Sequence, residues 1–385
     1  MREQLKDHLA YAKALRREFH QHPEASFQEY WTTERIEQEL NELGIATRQI
    51  TDTGILGSLY GTGPGKCIAL RADIDALELR TALTTKYASQ RDGFMHACGH
   101  DGHIAGLLYA AKLLSARKHD FPGEIRFIFQ PAEENGRGAL AMIEAGALDG
   151  VDAIFGIHVW NDLETGSINV EAGPRMASAS IFKLTITGKG GHGAMPHQTV
   201  DAVMVGATLV QQLQTIVSRE LDPLEPAVVT VGSFHAGSRY NIIAQEAVLE
   251  GTTRSFSSEA MVIIKQALER IAEHTAKAFR ASIDVEYVQS VIPTVNDPEL
   301  AALVQQSARK LFGDDVLVPM ERVTGGEDFS YYGERIPATF AFVGTKNLAK
   351  LDNYPHHHPK FDIDEDALEY SAGLYAQTAL DFLNK

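Results

Sequence analysis

The sequence predicts a mixed α/β protein with a mostly parallel sheet, interrupted by a second domain of ferredoxin-like order. Three observations predict this. Helix and strand patterns alternate through the first part of the chain, a βαββαβ succession follows from about Ser180, and the α/β pattern resumes after Val288. At 385 residues the chain is too long for one simple core. The expected division is 1–178 and 291–385 for the principal domain, with 179–290 inserted between them.

In chain order, Leu5, Leu9, Ala12, Leu15 and Phe19 keep helical spacing, and a second helix from Trp31 to Leu43 stops at Gly44. Strands are expected at Ile55–Tyr60 and Cys67–Ala72. The second ends in Arg71-Ala72-Asp73-Ile74-Asp75, which places Asp73 and Asp75 where open α/β sheets keep their ligands; a turn or cap role is the alternative. Next comes Met95-His96-Ala97-Cys98-Gly99-His100-Asp101-Gly102-His103, expected as a loop before a helix carrying Ile104, Leu107, Leu108, Ala111 and Leu114. A thiol and an imidazole two apart, with glycine between them, suit one shared divalent metal. A thiol nucleophile with a neighbouring histidine is the competing reading, and the spacing fits it less well.

A strand at Glu124–Gln130 leads into Pro131-Ala132-Glu133-Glu134, then a helix at Ala139–Glu144, then a strand at Ala153–Ile157 that delivers His158. Strand, loop, helix, strand is a parallel crossover. It brings Glu133, Glu134 and His158 to the sheet edge that already holds Asp73, Asp75 and the Cys98 loop. Beside a dication, one of two adjacent glutamates can ligate while the other works as a base.

In the insert, strands are expected at Ile181–Thr187, Ala227–Phe234, Ile242–Phe256 and Ile283–Val288, with helices at Val200–Val217 and Met261–Phe279. Gly188-Lys189-Gly190-Gly191-His192-Gly193 formally matches a dinucleotide fingerprint, but Met195-Pro196-His197-Gln198 delays the helix and no parallel strand follows. After Asp297 come a helix, the Gly325-Gly326 segment, a strand at Thr339–Val343, the proline-bracketed tract His356-His357-His358 and a last helix beginning near Asp364.

Composition bounds the function. A net charge of −16 argues against nucleic acid and anionic membrane surfaces as partners. Two cysteines, Cys67 and Cys98, form no disulfide framework, and the charged, helical N-terminus lacks an apolar leader, so the expected location is cytoplasmic. No Gly-x-Ser-x-Gly elbow supports a serine hydrolase.

Taken together, His96-Ala97-Cys98-Gly99-His100-Asp101 and Pro131-Ala132-Glu133-Glu134 resemble the M20 metallopeptidase family, in its amidohydrolase branch. The resemblance runs from Arg17-Glu18-Phe19-His20 to His357-His358-Pro359. It implies a zinc-exopeptidase-like catalytic domain with the insert as lid and dimerisation domain. Cys98, His100, Glu134, His158 and His357 would hold two divalent metal ions, zinc or manganese, with cobalt and nickel also admitted by the donors. Glu133 would be the general base, His192 would polarise the scissile carbonyl across a homodimer, and Asn241, Arg254, Gly325 and Gly326 would meet substrate. The implied reaction is hydrolysis of N-acyl-L-amino acids to a carboxylate and a free amino acid. A dipeptidase or exopeptidase with the same site, and a non-catalytic metal-binding protein, are the alternatives. Two departures bear on the acyl pocket: Glu78-Leu79 stand where the family has Pro and Ile, and Ala244 replaces a proline after Asn241-Ile242-Ile243.

Overall fold

The computed structural model describes residues 1–385 and divides the chain into two compact units. The first comprises Met1–Arg175, Val295–Glu321 and Asp328–Lys385, and the second Met176–Thr294 with Arg322–Glu327. The second unit is thus slightly wider than the 179–290 segment expected, and it takes a short piece from beyond it.

In the first unit the strands are β1 (Ala46–Gln49), β2 (Ile55–Tyr60), β3 (Cys67–Asp73), β4 (Glu124–Gln130), β5 (Ala153–Glu164), β6 (Ile168–Asn169) and a last strand, Ala338–Lys346. Their order across the sheet is β1-β2-β4-β3-β5-last-β6. The central four, β4, β3, β5 and the last strand, are parallel, and the antiparallel pairs lie at the edges. Parallel strands buried on both faces are continuously apolar rather than alternating. β3 accordingly has every residue buried.

The helices are α1 (Arg2–Gln21), α2 (Tyr30–Glu42), α3 (His100–Ser115) and α4 (Gly138–Glu144), followed late in the chain by Pro298–Phe312 and Ala367–Leu383. One core joins Leu15 and Phe19 of α1, Ile104, Leu107 and Leu108 of α3, Leu70 of β3, Phe127 and Phe129 of β4, and Leu374 and Tyr375 of the last helix.

Several elements differ from expectation. β1 is short and mostly exposed, so it carries no apolar signal. α3 begins at His100, which puts His100, Asp101 and His103 on its first turn rather than in a loop. β5 continues to Glu164, so His158 lies within a strand. The crossover through α4 passes over β3, because β3 pairs with both β4 and β5.

The second unit is the ferredoxin-like sheet, ordered Ala227–Ala236, Glu246–Ser255, Ala179–Thr187, Ser282–Val291 and antiparallel throughout. Phe182, Leu184 and Ile186 alternate into its core against Leu209 and Leu213 of the helix Ala202–Thr215 and Ile264 and Leu268 of the helix Ser258–Phe279. Side-chain caps set both helix starts: Asp201 accepts from the Val203 N–H, and Ser257 from the Ala260 N–H. The expected strand Ile242–Phe256 is broken after Ile243, since Ile242 and Ile243 pair instead with His192 and Gly191.

A buried charge cluster ties α1 to α3 and to the loop before the last helix. The Arg16 guanidinium, wholly buried, donates to Asp101 at 2.7 Å and pairs with Asp362 at 2.7 Å, while His20 Nδ1 lies 2.8 Å from Asp101. Burial alone would raise the Asp101 carboxyl, but Arg16 and then His20 outweigh it and hold it well below the usual carboxylate range. Removing one partner of such a group leaves a charge uncompensated. Asp101→Asn is therefore expected to cost about 3–5 kcal/mol at neutral pH in urea unfolding. Because the native carboxyl is depressed, that advantage is full at neutral pH, and the gap between wild type and variant should shrink as pH falls below about 4.

Candidate metal centre

The carboxyl edge of β3 supplies the anchor. Asp75 is fully buried and accepts from the N–H groups of Glu133 (3.1 Å) and Glu134 (3.0 Å) and from the Ser26 hydroxyl (2.7 Å). It also lies 3.3 Å from His100 Nδ1, whose own bond goes to the Asp75 carbonyl at 2.9 Å. Ala132, just ahead of the two glutamates, has φ +55° with its N–H held by Glu29 at 2.9 Å. A non-glycine residue in that region costs about 1–3 kcal/mol, and here the surrounding hydrogen bonds impose it.

Gly99 turns the chain between Cys98 and His100 with φ +90°, and a side chain there would run into Val159 of β5 at 2.4 Å. Only glycine fits. His357, also at positive φ, donates its N–H to the Ala97 carbonyl at 2.8 Å, bringing the histidine tract to the Cys98 loop.

These contacts assemble two triads whose donor atoms lie within 4.8 Å of one another: Cys98, His100 and His158, and Cys98, Glu134 and His357. A third group, His100 with Glu133 and Glu134, overlaps them. Cys98 Sγ is 3.5 Å from His158 Nε2, and His357 Nε2 is 3.6 Å from Glu134. All five expected ligands and Glu133 thus meet at one sheet edge.

The hydrogen bonds aim the donors. A carbonyl only accepts, so His100 Nδ1 carries the proton it gives to Asp75, and His158 Nδ1 carries the one it gives to the Val159 carbonyl at 2.6 Å. Each ring then turns its Nε2 toward the cluster. His100 Nε2 and Glu134 Oε1 are buried with no hydrogen-bond partner. Each such group costs about 1–3 kcal/mol, which coordination would offset. Burial also pushes the Glu134 carboxyl up to about 7 and the Cys98 thiol, further raised by Glu134, well above its usual range. A dication reverses both effects. A thiolate, three imidazoles and a carboxylate suit divalent ions, so the residues fit a metal.

Behind them, the buried Arg71 guanidinium reaches Asp73 (2.7 Å), Gln130 (2.9 Å) and Asp328 (3.0 Å). Asp328 also accepts from the Ala139 N–H at the start of α4. Sequence reasoning singled out Asp73 but not Arg71, His103 or Asp328. His103 follows His100 by one helical turn, a signal available once the helix start is known.

The other expected residues belong to the second unit. His192 is exposed and paired with Ile242, and the Gly193 N–H donates to the Asn241 carbonyl at 2.9 Å, so His192 and Asn241 share one small ladder. Arg254 donates to the Thr253 carbonyl at 2.8 Å and to the Thr252 hydroxyl. A side chain at Gly326 would meet Val291 at 2.6 Å.

A model of Peptidase family M20/M25/M40 matches residues 69–381. The chain belongs to that family. This M20 protein is 43% identical over 355 residues to an N-acetyl-L-cysteine deacetylase of Bacillus subtilis, covering 92% of this chain and 84% of the relative. It is 37% identical over 382 residues to IAA-amino acid hydrolase ILR1-like 4 of Arabidopsis thaliana, covering 98% and 87%. Among solved structures it resembles a dinuclear metal binding M20 peptidase of Bacillus subtilis, with TM-score 0.87 and 36% identity over 98% of this chain and 99% of that one. The M20 protein is therefore a metal-dependent hydrolase of the amidohydrolase branch.

Asp75→Ala would strip an acceptor from the Glu133 and Glu134 N–H groups and from Ser26. Metal affinity of the metal-stripped variant, measured by competition with a chromogenic chelator, is expected to fall about 10–100-fold with far-UV circular dichroism unchanged.

Proposed function

We propose that this protein hydrolyses the amide bond of N-acyl-L-amino acids, releasing a carboxylate and a free amino acid. One observation carries the reading: Glu133 stands beside Glu134 at the metal cluster, its Oε2 4.0 Å from His100 Nε2, yet lies outside the two triads that share Cys98. A closed structural metal site has no use for such a neighbour. The deacetylase and hydrolase names of the relatives support the same chemistry.

Cys98, His100, His158, Glu134 and His357 would hold the two divalent ions. Bound there, the metals supply Lewis acidity toward water and the scissile carbonyl. Glu133 takes the proton of the attacking water and returns it to the leaving nitrogen. Its N–H bond to Asp75 fixes the backbone that carries this carboxylate. His192 donates to the carbonyl oxygen as negative charge develops on it. Asn241 and Arg254 bind the substrate's polar groups, and the Gly325-Gly326 segment admits it at close range. The second unit serves as lid and dimerisation domain, and His192 acts in the partner's site of a homodimer. Zinc or manganese is the expected metal, and the cytoplasm the expected location.

Glu133→Gln is expected to lower turnover of N-acetyl amino acids about 10²–10⁴-fold while both metals remain by elemental analysis. Near-normal turnover would exclude Glu133 as the base. His192→Ala should lower kcat, again without loss of metal. Across a panel of N-acetyl, benzoyl and indole-acetyl amino acids and unblocked dipeptides, amine release should be chelator-sensitive and confined to the acylated compounds. Cleavage of dipeptides alone would make the protein a peptidase.

A further inference from the structure

β3 and β5 part company at the metal-bearing edge. Their ladder ends at Arg71 paired with Gly156, whereas the last strand follows the other side of β5 past Trp160 to Glu164, with a register shift after Gly344. Past Gly156, β5 has therefore lost its partner on the β3 side. Alternate backbone N–H groups along one edge of a buried strand then need acceptors.

Three side chains supply them. The Ile157 N–H donates to the Tyr375 hydroxyl at 3.1 Å, the Val159 N–H to His103 Nε2 at 2.9 Å, and the Asn161 N–H to His356 Nε2 at 3.4 Å. The first two reach back to β3. The Tyr375 hydroxyl donates onward to the Arg71 carbonyl at 2.6 Å, and His103 Nδ1 lies 2.5 Å from the Asp73 carboxylate. A phenol oxygen bridges the strands where they begin to part, and a whole imidazole bridges them two residues later. The gap opens in steps.

The protonation pattern follows from the partners. A backbone N–H can only donate, so His103 Nε2 keeps its lone pair and Nδ1 carries the proton given to Asp73. His158 sits between the two bridged residues. Its Nδ1 donates to the carbonyl of Val159, the residue His103 holds, and its Nε2 faces Cys98. The His103 ring also lies 4.7 Å from the His158 ring, edge to face.

We propose that Tyr375 and His103, extended by His356, form a side-chain ladder that stands in for β3 along the outer half of β5 and so positions His158. They are positioning residues and do not touch substrate. The ladder is argued from hydrogen bonds alone; only the consequence for metal rests on the dinuclear reading above.

Two measurements test it. In metal-stripped protein, His103→Leu should speed amide hydrogen exchange at Val159 about tenfold or more while Phe155, still paired with β3, exchanges as in wild type. Tyr375→Phe, which deletes a single oxygen and decides the matter should the leucine variant not fold, should do the same at Ile157. In Co²⁺ titrations, one equivalent should bind either variant as in wild type, and the equivalent using His158 about 10–100-fold more weakly. His103→Gln, which keeps an acceptor, should recover most of that loss. Unchanged exchange at Val159 and Ile157 would overturn the ladder, as would equal acceleration at Phe155. Equal weakening of both Co²⁺ equivalents would mark a general loosening and overturn the positioning of His158. Wild-type protein that binds no Co²⁺ would instead refute the dinuclear reading, with exchange at Val159 still judging the ladder.

Discussion

The Asp75 carboxylate, closed off from water, takes hydrogen bonds from Ser26 and from the N–H groups of Glu133 and Glu134, and it faces His100. Segments more than a hundred residues apart in sequence are thereby fixed around one charge. A buried anion needs hydrogen-bond donors, so the requirement to satisfy Asp75 is also what holds the Glu133 and Glu134 backbone in place beside the His100 ring. Its carboxyl stays below the usual range, since His100 and these bonds outweigh the burial that would raise it.

The same rule recurs around the site. Asp73 is balanced by Arg71 and His103, Asp328 by Arg71 and the start of α4, and Asp101 by Arg16 and His20. Every one of these acids has specific cationic or N–H partners from the chain. Glu134 and Cys98 differ from these: burial drives both toward their protonated forms. Where Cys98, His100 and Glu134 converge, burial therefore leaves an unmet demand for positive charge.

Much of the fold was legible because burial imposes periodicity. The alternation at Phe182, Leu184 and Ile186, the apolar run of β3 and the helical spacing of Leu15 and Phe19 are direct records of which faces are covered. β1, mostly exposed, left no such record, and the helix start at His100 was hidden because histidine, aspartate and glycine are weak helix signals. The break after Ile243 was equally hidden, as an apolar run does not say which strand it pairs with.

By itself the sequence determined the donor types and their local spacing: a thiol and an imidazole on either side of a glycine, adjacent glutamates after a strand, and a histidine on the next strand. Those are properties of neighbours, and neighbours are what a chain encodes directly. Only the tertiary structure decided which nitrogen of each imidazole faces the cluster, because that depends on acceptors brought from elsewhere: the Asp75 carbonyl for His100, and for His103 a carboxylate on β3 and an N–H on β5. Tyr375, on a helix some three hundred residues from the strand end it bridges, has no local signature at all. Its role exists only where β3 and β5 diverge, since a hydrogen bond there requires two strands that the sequence cannot place side by side.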